Sequence, residues 1–154
     1  MPPEPASPNR DFIRVGKSPI AGTGVFAKRK IPRGTRIIEY TGEHVPIKEL
    51  RISTYALVLN PTTVIDGARN GNAARFCNHS CDPNCEAYIF DGHAYIYAMR
   101  DIVRGEELTF DYHLAPADRA TRRWYDKTSY LCTCGAANCR GTLITPGRGQ
   151  SAAG

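Results

Sequence analysis

A chain of 154 residues, 42% of them hydrophobic, holds enough for one domain with a modest core. No run approaches the roughly 18 apolar residues of a membrane span, and the opening Met1-Pro-Pro-Glu-Pro-Ala-Ser-Pro8 is polar and proline-rich, unlike the apolar centre of a secretory signal. The net charge of +5, from 20 basic and 15 acidic residues, selects no partner by itself, because clusters such as Lys28-Arg29-Lys30 and residues 119–123 suit solvated loops as well as a nucleic-acid surface.

These features imply a soluble protein of a reducing compartment, cytoplasmic or nuclear. In such a compartment six cysteines point to metal before disulfides.

Residues 1 to 10 read as a flexible lead. Residues 12–15 are predicted as a short strand, 16–24 as a glycine-rich loop and 25–27 as a second strand. A turn at Ile31-Pro-Arg-Gly34 precedes a strand over 36–40, closed by Thr41-Gly42. One or two helical turns are expected at 47–51. Strands at 55–60 and 64–66 then lead into the glycine-broken residues 67–71.

The next stretch, Arg75-Phe-Cys-Asn-His-Ser-Cys-Asp-Pro-Asn84, packs an Arg, an aromatic, two Asn, a His and two Cys into ten residues. That density of hydrogen-bonding and metal-binding groups suits neither a core strand nor an exposed amphipathic helix. Its turn-forming Cys-Asp-Pro-Asn end makes it an irregular loop held by its own polar groups. On such loops a rigid scaffold carries function, and the rest of the chain reads as that scaffold.

Residues 86–90, Asp91-Gly92 and 93–99 spell a β-hairpin with a two-residue turn, with Tyr88 and Phe90 on one arm and Tyr95 and Tyr97 on the other. A turn at 102–105, a last strand over 107–112, a short helix over 119–125 and a frayed end at 145–154 complete the reading. Many short strands and almost no long helix make a mostly β domain of several small sheets, with no internal repeat and no second domain.

The tail reads Cys132-Thr-Cys134-Gly-Ala-Ala-Asn-Cys139, thiols set among turn formers as a knuckle around a tetrahedral ion requires. Structural zinc takes four ligands and the tail supplies three, so the fourth comes from elsewhere; Cys81 in the polar loop is the natural candidate. Cys77 and Cys85 read as ordinary buried cysteines. Gly22-Thr-Gly24-Val-Phe-Ala27 has the spelling of a dinucleotide fingerprint, but a loop precedes it, and Pro32 with Gly34 prevents a following helix. A glycine turn that lets backbone approach a ligand and a plain turn fit it equally well. The tyrosine of Phe110-Asp-Tyr112 is, alone, as well explained as a core aromatic with a satisfied hydroxyl.

Taken together, four segments resemble the SET-domain protein lysine methyltransferases with a post-SET zinc motif. They are Gly22-Thr-Gly24, Arg75 to Asn84, Gly105-Glu-Glu-Leu-Thr-Phe-Asp-Tyr112 and the cysteine tail, in the family's order. The likeness is greatest to the trithorax (mixed-lineage leukaemia) class, and a near-bare catalytic unit also suits a bacterial single-domain member delivered to a host nucleus. The resemblance implies a β-clip of small sheets with a C-terminal pseudoknot, a SET domain over 11–115 and a post-SET region over 116–144.

It implies S-adenosylmethionine as cofactor, bound at Ala21, Gly22, Thr23, Tyr55, Arg75, Asn78, His79 and Thr133. It implies Tyr112 as the catalytic tyrosine, Phe110 as the product-controlling position, and one structural zinc on Cys81, Cys132, Cys134 and Cys139. The expected activity is methylation of a histone tail or another basic protein segment, to the di- or trimethyl level. The stretch between Gly42 and Tyr55 is short for a substrate-groove wall, and no cysteine-rich segment precedes the domain, so the substrate stays open. The alternatives are a catalytically inactive SET-like module that holds zinc and a peptide, and a zinc protein that binds nucleic acid through its charge. The complete set of motif residues favours the enzyme.

Overall fold

The computed structural model describes residues 11–49, 55–112 and 132–142. Three small sheets carry the fold. The first is ordered β1 (Ile13–Lys17), β2 (Thr23–Ala27), β10 (Glu107–Phe110) and β7 (Asn78–His79). The second is β3 (Arg36–Tyr40), β9 (His93–Ala98), β8 (Cys85–Phe90), and the third β4 (Glu43–Pro46), β6 (Thr63–Asp66), β5 (Ala56–Asn60). All pairs are antiparallel except β7 with β10, which run parallel, Thr109 beside Asn78 and Phe110 beside His79.

The core is aliphatic: Val25, Ile31, Ile65, Ile96, Ile102 and Leu108 are fully buried. At about 1.5–3 kcal/mol for each side chain removed from water, these contribute the largest favourable term among the described residues. β2 is an interior strand of its sheet, with Val25, Phe26 and Ala27 all buried, which explains its continuous apolar run. The hairpin forms as expected. Asp91 (φ 49°) and Gly92 (φ 77°) both take the left-handed conformation that matches strand twist, and Tyr88 packs edge-on against Tyr97 at 5.9 Å.

Several boundaries differ from the sequence reading. β1 starts at Ile13 and runs to Lys17, and β2 begins at Thr23, so the glycine-rich loop shrinks to residues 18–22. β4 was not expected; its Glu-His-Val-Pro sequence lacks strand alternation, and pairing with β6 forms it. The helical turns expected at 47–51 are a single 3-10 turn at Ile47–Glu49, with residues 50 and 51 outside the described residues. The segment read as an irregular loop is partly regular. A 3-10 helix over Ala73–Phe76, capped by the Asn72 side chain, leads into β7. The last strand ends at Phe110, two residues before Tyr112. The lead at 1–10, the helix at 119–125 and the end at 145–154 lie outside the described residues. Among the described residues no helix is long and apolar enough to cross a membrane.

Candidate active site and metal centre

The loop between β1 and β2 closes through Ser18 N–H to the Gly22 carbonyl at 2.9 Å, with Gly22 at φ 42°. The Ser18 hydroxyl accepts from the amides of Ile20 (3.0 Å) and Ala21 (3.4 Å) and donates to the Glu107 carboxylate at 2.7–2.8 Å. From β7, the Asn78 Nδ2 group faces three acceptors: the carbonyls of Ala21 (3.2 Å) and Thr23 (3.1 Å), and Glu107 Oε2 (2.8 Å). A Cβ on Gly24 would lie 2.5 Å from that same Oε2, so only glycine admits the carboxylate there. Thr133, far along the chain, donates to the Ile20 carbonyl at 3.0 Å. Ala21, Gly22, Thr23, Asn78 and Thr133 are therefore gathered on one turn.

Tyr112 is fixed at both ends. Its N–H donates to His79 Nδ1 at 3.0 Å and its hydroxyl to the Cys77 carbonyl at 2.6 Å. Its ring packs on those of His79 (5.3 Å) and Phe110 (5.0 Å). Buried Asn84 staples β10 in place, donating to the Glu107 carbonyl (2.8 Å) and accepting from Thr109 N–H (3.0 Å). Tyr112 lines a cavity of about 20 Å³ together with Tyr40, Arg75, Cys77, Phe110 and Leu57. That is room for roughly one water-sized group.

Burial pushes the phenols of Tyr112 and Tyr40 well above the ordinary tyrosine range, so both stay protonated. The Tyr40 hydroxyl donates to the Tyr55 carbonyl. Tyr55 and Arg75 meet across Phe76, the tyrosine edge-on at 5.9 Å and the guanidinium 4.5 Å from the ring centre. The expected site residues thus form two neighbouring groups, the glycine turn with Asn78 and the tyrosine-lined cavity with Arg75. His79, next to Asn78 and bonded to Tyr112, links them.

The ligand atoms of Cys81, Cys132, Cys134 and Cys139 all lie within 4.8 Å of one another. Cys81 and Cys132 sulfurs are 3.8 Å apart, and a tetrahedral ion with bonds of about 2.3 Å spaces its thiolates by about 3.8 Å. The donor set and its spacing fit zinc. Backbone amides point at the sulfurs, Arg140 N–H to Cys81 at 3.3 Å and Gly141 N–H to Cys139 at 3.4 Å. Burial pushes Cys81 and Cys132 up; at Cys134 the surrounding amide and thiol donors outweigh burial and bring the thiol down to about 6. A divalent cation would supply the positive charge that lets the four thiols ionise together. Cys77 and Cys85 stay apart from it, buried in the core with thiols pushed up by desolvation.

His79 joins metal centre and tyrosine. Because its Nδ1 accepts the Tyr112 amide, the ring proton sits on Nε2, which faces the Cys81 sulfur at 3.4 Å. Nδ1 also lies 3.6 Å from Asp111 Oδ1, and that carboxylate is held by Arg140 at 2.8 and 3.3 Å. Asn138 donates to the Cys81 carbonyl at 3.2 Å, tying the tail to the loop. Ser18, Glu107, Asn84, Asp111, Asn138 and Arg140 escaped the sequence reading. Asn84, Glu107, Asp111 and Asn138 lie within segments singled out above, but the role of each depends on a partner distant in the chain.

Residues 22–113 match the SET domain family. The chain is similar to the histone-lysine N-methyltransferase, H3 lysine-4 specific, of Emericella nidulans, 40% identical over 146 residues, covering 85% of this chain and 12% of the relative. The protein of the same name from Saccharomyces cerevisiae is 38% identical over 146 residues, with 85% and 13% covered. Histone-lysine N-methyltransferase 2B of Homo sapiens is 35% identical over 148 residues, with 86% and 5% covered. The chain thus spans 5% to 13% of the length of these relatives. Gly22, Thr23, the Asn78-His79 strand and Tyr112 all fall inside the matched residues, and the chain belongs to the SET-domain family.

Proposed function

We propose that the protein is an S-adenosylmethionine-dependent protein lysine N-methyltransferase acting on a histone tail or another basic protein segment, with one structural zinc. The observation that carries the reading is Tyr112. It lies on the wall of a cavity of about 20 Å³ and is bonded through His79 to the strand whose Asn78 holds the glycine turn. The relatives' names concern histones, and histone H3 lysine 4 in two of the three cited. On that likeness the substrate is a histone or a similar lysine-bearing segment, and the site of action the nucleus.

SET-domain methyltransferases use S-adenosylmethionine, which supplies a methyl group activated on a sulfonium. The residues proposed to bind it are Ala21, Gly22, Thr23, Tyr55, Arg75, Asn78, His79 and Thr133. Because Asn78 Nδ2 is already occupied by three oxygens, Asn78 contributes its Oδ1 or its backbone. Cys81, Cys132, Cys134 and Cys139 hold the zinc. The SET domain spans 11–115 and the post-SET region 116–144.

A lysine is charged in water and must present a neutral amine. A cavity too small for bulk water favours the neutral form by desolvation. Tyr112, itself kept protonated by burial, has its hydroxyl hydrogen committed to the Cys77 carbonyl and its oxygen lone pairs free to accept from the amine. Its role is to align, not to take the proton away.

Labelled S-adenosylmethionine offered with a panel of histones and cell lysate tests the reading. Label should appear on a discrete band and fall about 10²-fold in Tyr112→Phe. Cofactor and zinc bound without any label would replace it with the inactive binding module.

A further inference from the structure

We infer that Glu107 is the positioning residue of the cofactor turn, through a hydrogen-bonded frame that it shares with Ser18 and Asn78. The inference rests on the methyltransferase reading above and names a residue that the reading leaves without a role.

The turn at residues 18–22 carries the backbone groups proposed to meet the cofactor, yet little within it fixes its shape. Glycine at 22 sits at positive φ, and one backbone bond, Ser18 N–H to Gly22 carbonyl, closes it. Thr133 holds the Ile20 carbonyl from outside, and the other side-chain constraints converge on one carboxylate. Ser18 bridges Glu107 to the amides of Ile20 and Ala21. Asn78 bridges the same Glu107 to the carbonyls of Ala21 and Thr23. Apart from the Ile20 carbonyl, which Thr133 holds, the donors and acceptors of the turn are thus read by two side chains, and both are oriented by Glu107.

Glu107 can serve as a fixed point because it opens β10, whose backbone is paired with β2 and stapled by Asn84. Gly24 supplies the space, since any Cβ there would collide with the carboxylate. The carboxylate also selects the orientation of its partners. Acceptor-only oxygens oblige Ser18 to donate toward β10, leaving its lone pairs for the turn amides, and oblige Asn78 to point Nδ2 inward, leaving Oδ1 outward. Loss of Glu107 frees both rotors, and the turn loses its preorganised shape.

Calorimetric binding of S-adenosylmethionine to zinc-loaded full-length protein tests this. Glu107→Ala should raise the Kd about 10- to 100-fold, the usual cost of losing hydrogen bonds to a charged acceptor, with zinc content unchanged. Glu107→Gln, which keeps one acceptor oxygen, should recover part of the loss. Ser18→Ala should weaken binding alone and have no further effect in the Glu107→Ala background, because both changes break the same frame. Saturating cofactor should restore kcat in Glu107→Ala.

Unchanged Kd in folded Glu107→Ala, or additive effects of the two substitutions, would overturn the inference. If Glu107→Ala fails to fold, Ser18→Ala decides: weakened binding supports the frame and unchanged binding rejects it. Wild-type protein that binds no cofactor would instead remove the methyltransferase reading, and this inference with it.

Discussion

Phe110 differs from tyrosine by one oxygen, and beside a cavity of about 20 Å³ that oxygen has consequences. The phenyl ring is buried and sits 5.0 Å from Tyr112. It offers no polar atom to hold water or to restrain an amine that must turn after each transfer. On the proposed methyltransferase reading, wild-type protein should therefore accumulate di- or trimethyl-lysine, and Phe110→Tyr should shift products toward the monomethyl form. Mass spectra of exhaustively reacted substrate check this, and a wild-type product that stops at one methyl would contradict it. At this scale, legibility followed composition. The four thiols could be matched by counting ligands, because zinc imposes a number. Glu107 could not be singled out, since its partner Ser18 lies 89 positions away and a carboxylate opening a strand looks like any other. Nor could the tautomer of His79, which only its two hydrogen-bond partners define.

Among elements, the tail at 132–142 carries no named strand or helix, yet it reaches three parts of the site. Thr133 reaches the glycine turn, Asn138 and the thiols reach the loop after β7, and Arg140 reaches Asp111 beside Tyr112. Without its ion the tail would rest on polar contacts such as these, which are individually worth about 1 kcal/mol. Chelation should thus release one zinc per chain, lower the Tm, and weaken cofactor binding because Thr133 leaves the turn. Cys139→Ser should reproduce all three effects. Calorimetry and zinc analysis measure them, and full cofactor affinity in zinc-free protein would rule the coupling out. The hairpin of β8 and β9 was readable because its turn chemistry is local. β4 and β7 were not, being short, polar strands that owe their conformation to partners supplied elsewhere in the chain.

For the whole molecule, buried acids of the weak kind set an alkaline limit. Burial raises Cys77, Cys85, Tyr40 and Tyr112, Cys85 to about 12 from an ordinary 9.0. The folded state then holds protons that the unfolded chain gives up earlier. Their contribution is complete below the unfolded values and is lost as pH rises past them toward the folded ones. The Tm of zinc-loaded protein should accordingly fall between about pH 9 and 11, as thermal melts in a buffer series would show; a flat profile would contradict the burial of these groups. The arrangement of strands has a further effect, on when the site comes into being. The glycine turn near the start of the chain takes its partners 89 positions later from Glu107 and 113 positions later from Thr133. Closing contacts across such lengths is slow compared with forming a hairpin. During synthesis the turn therefore waits, unframed, until the 89 positions that separate Ser18 from Glu107 have emerged, and a nascent chain ending before β10 presents the turn without that frame.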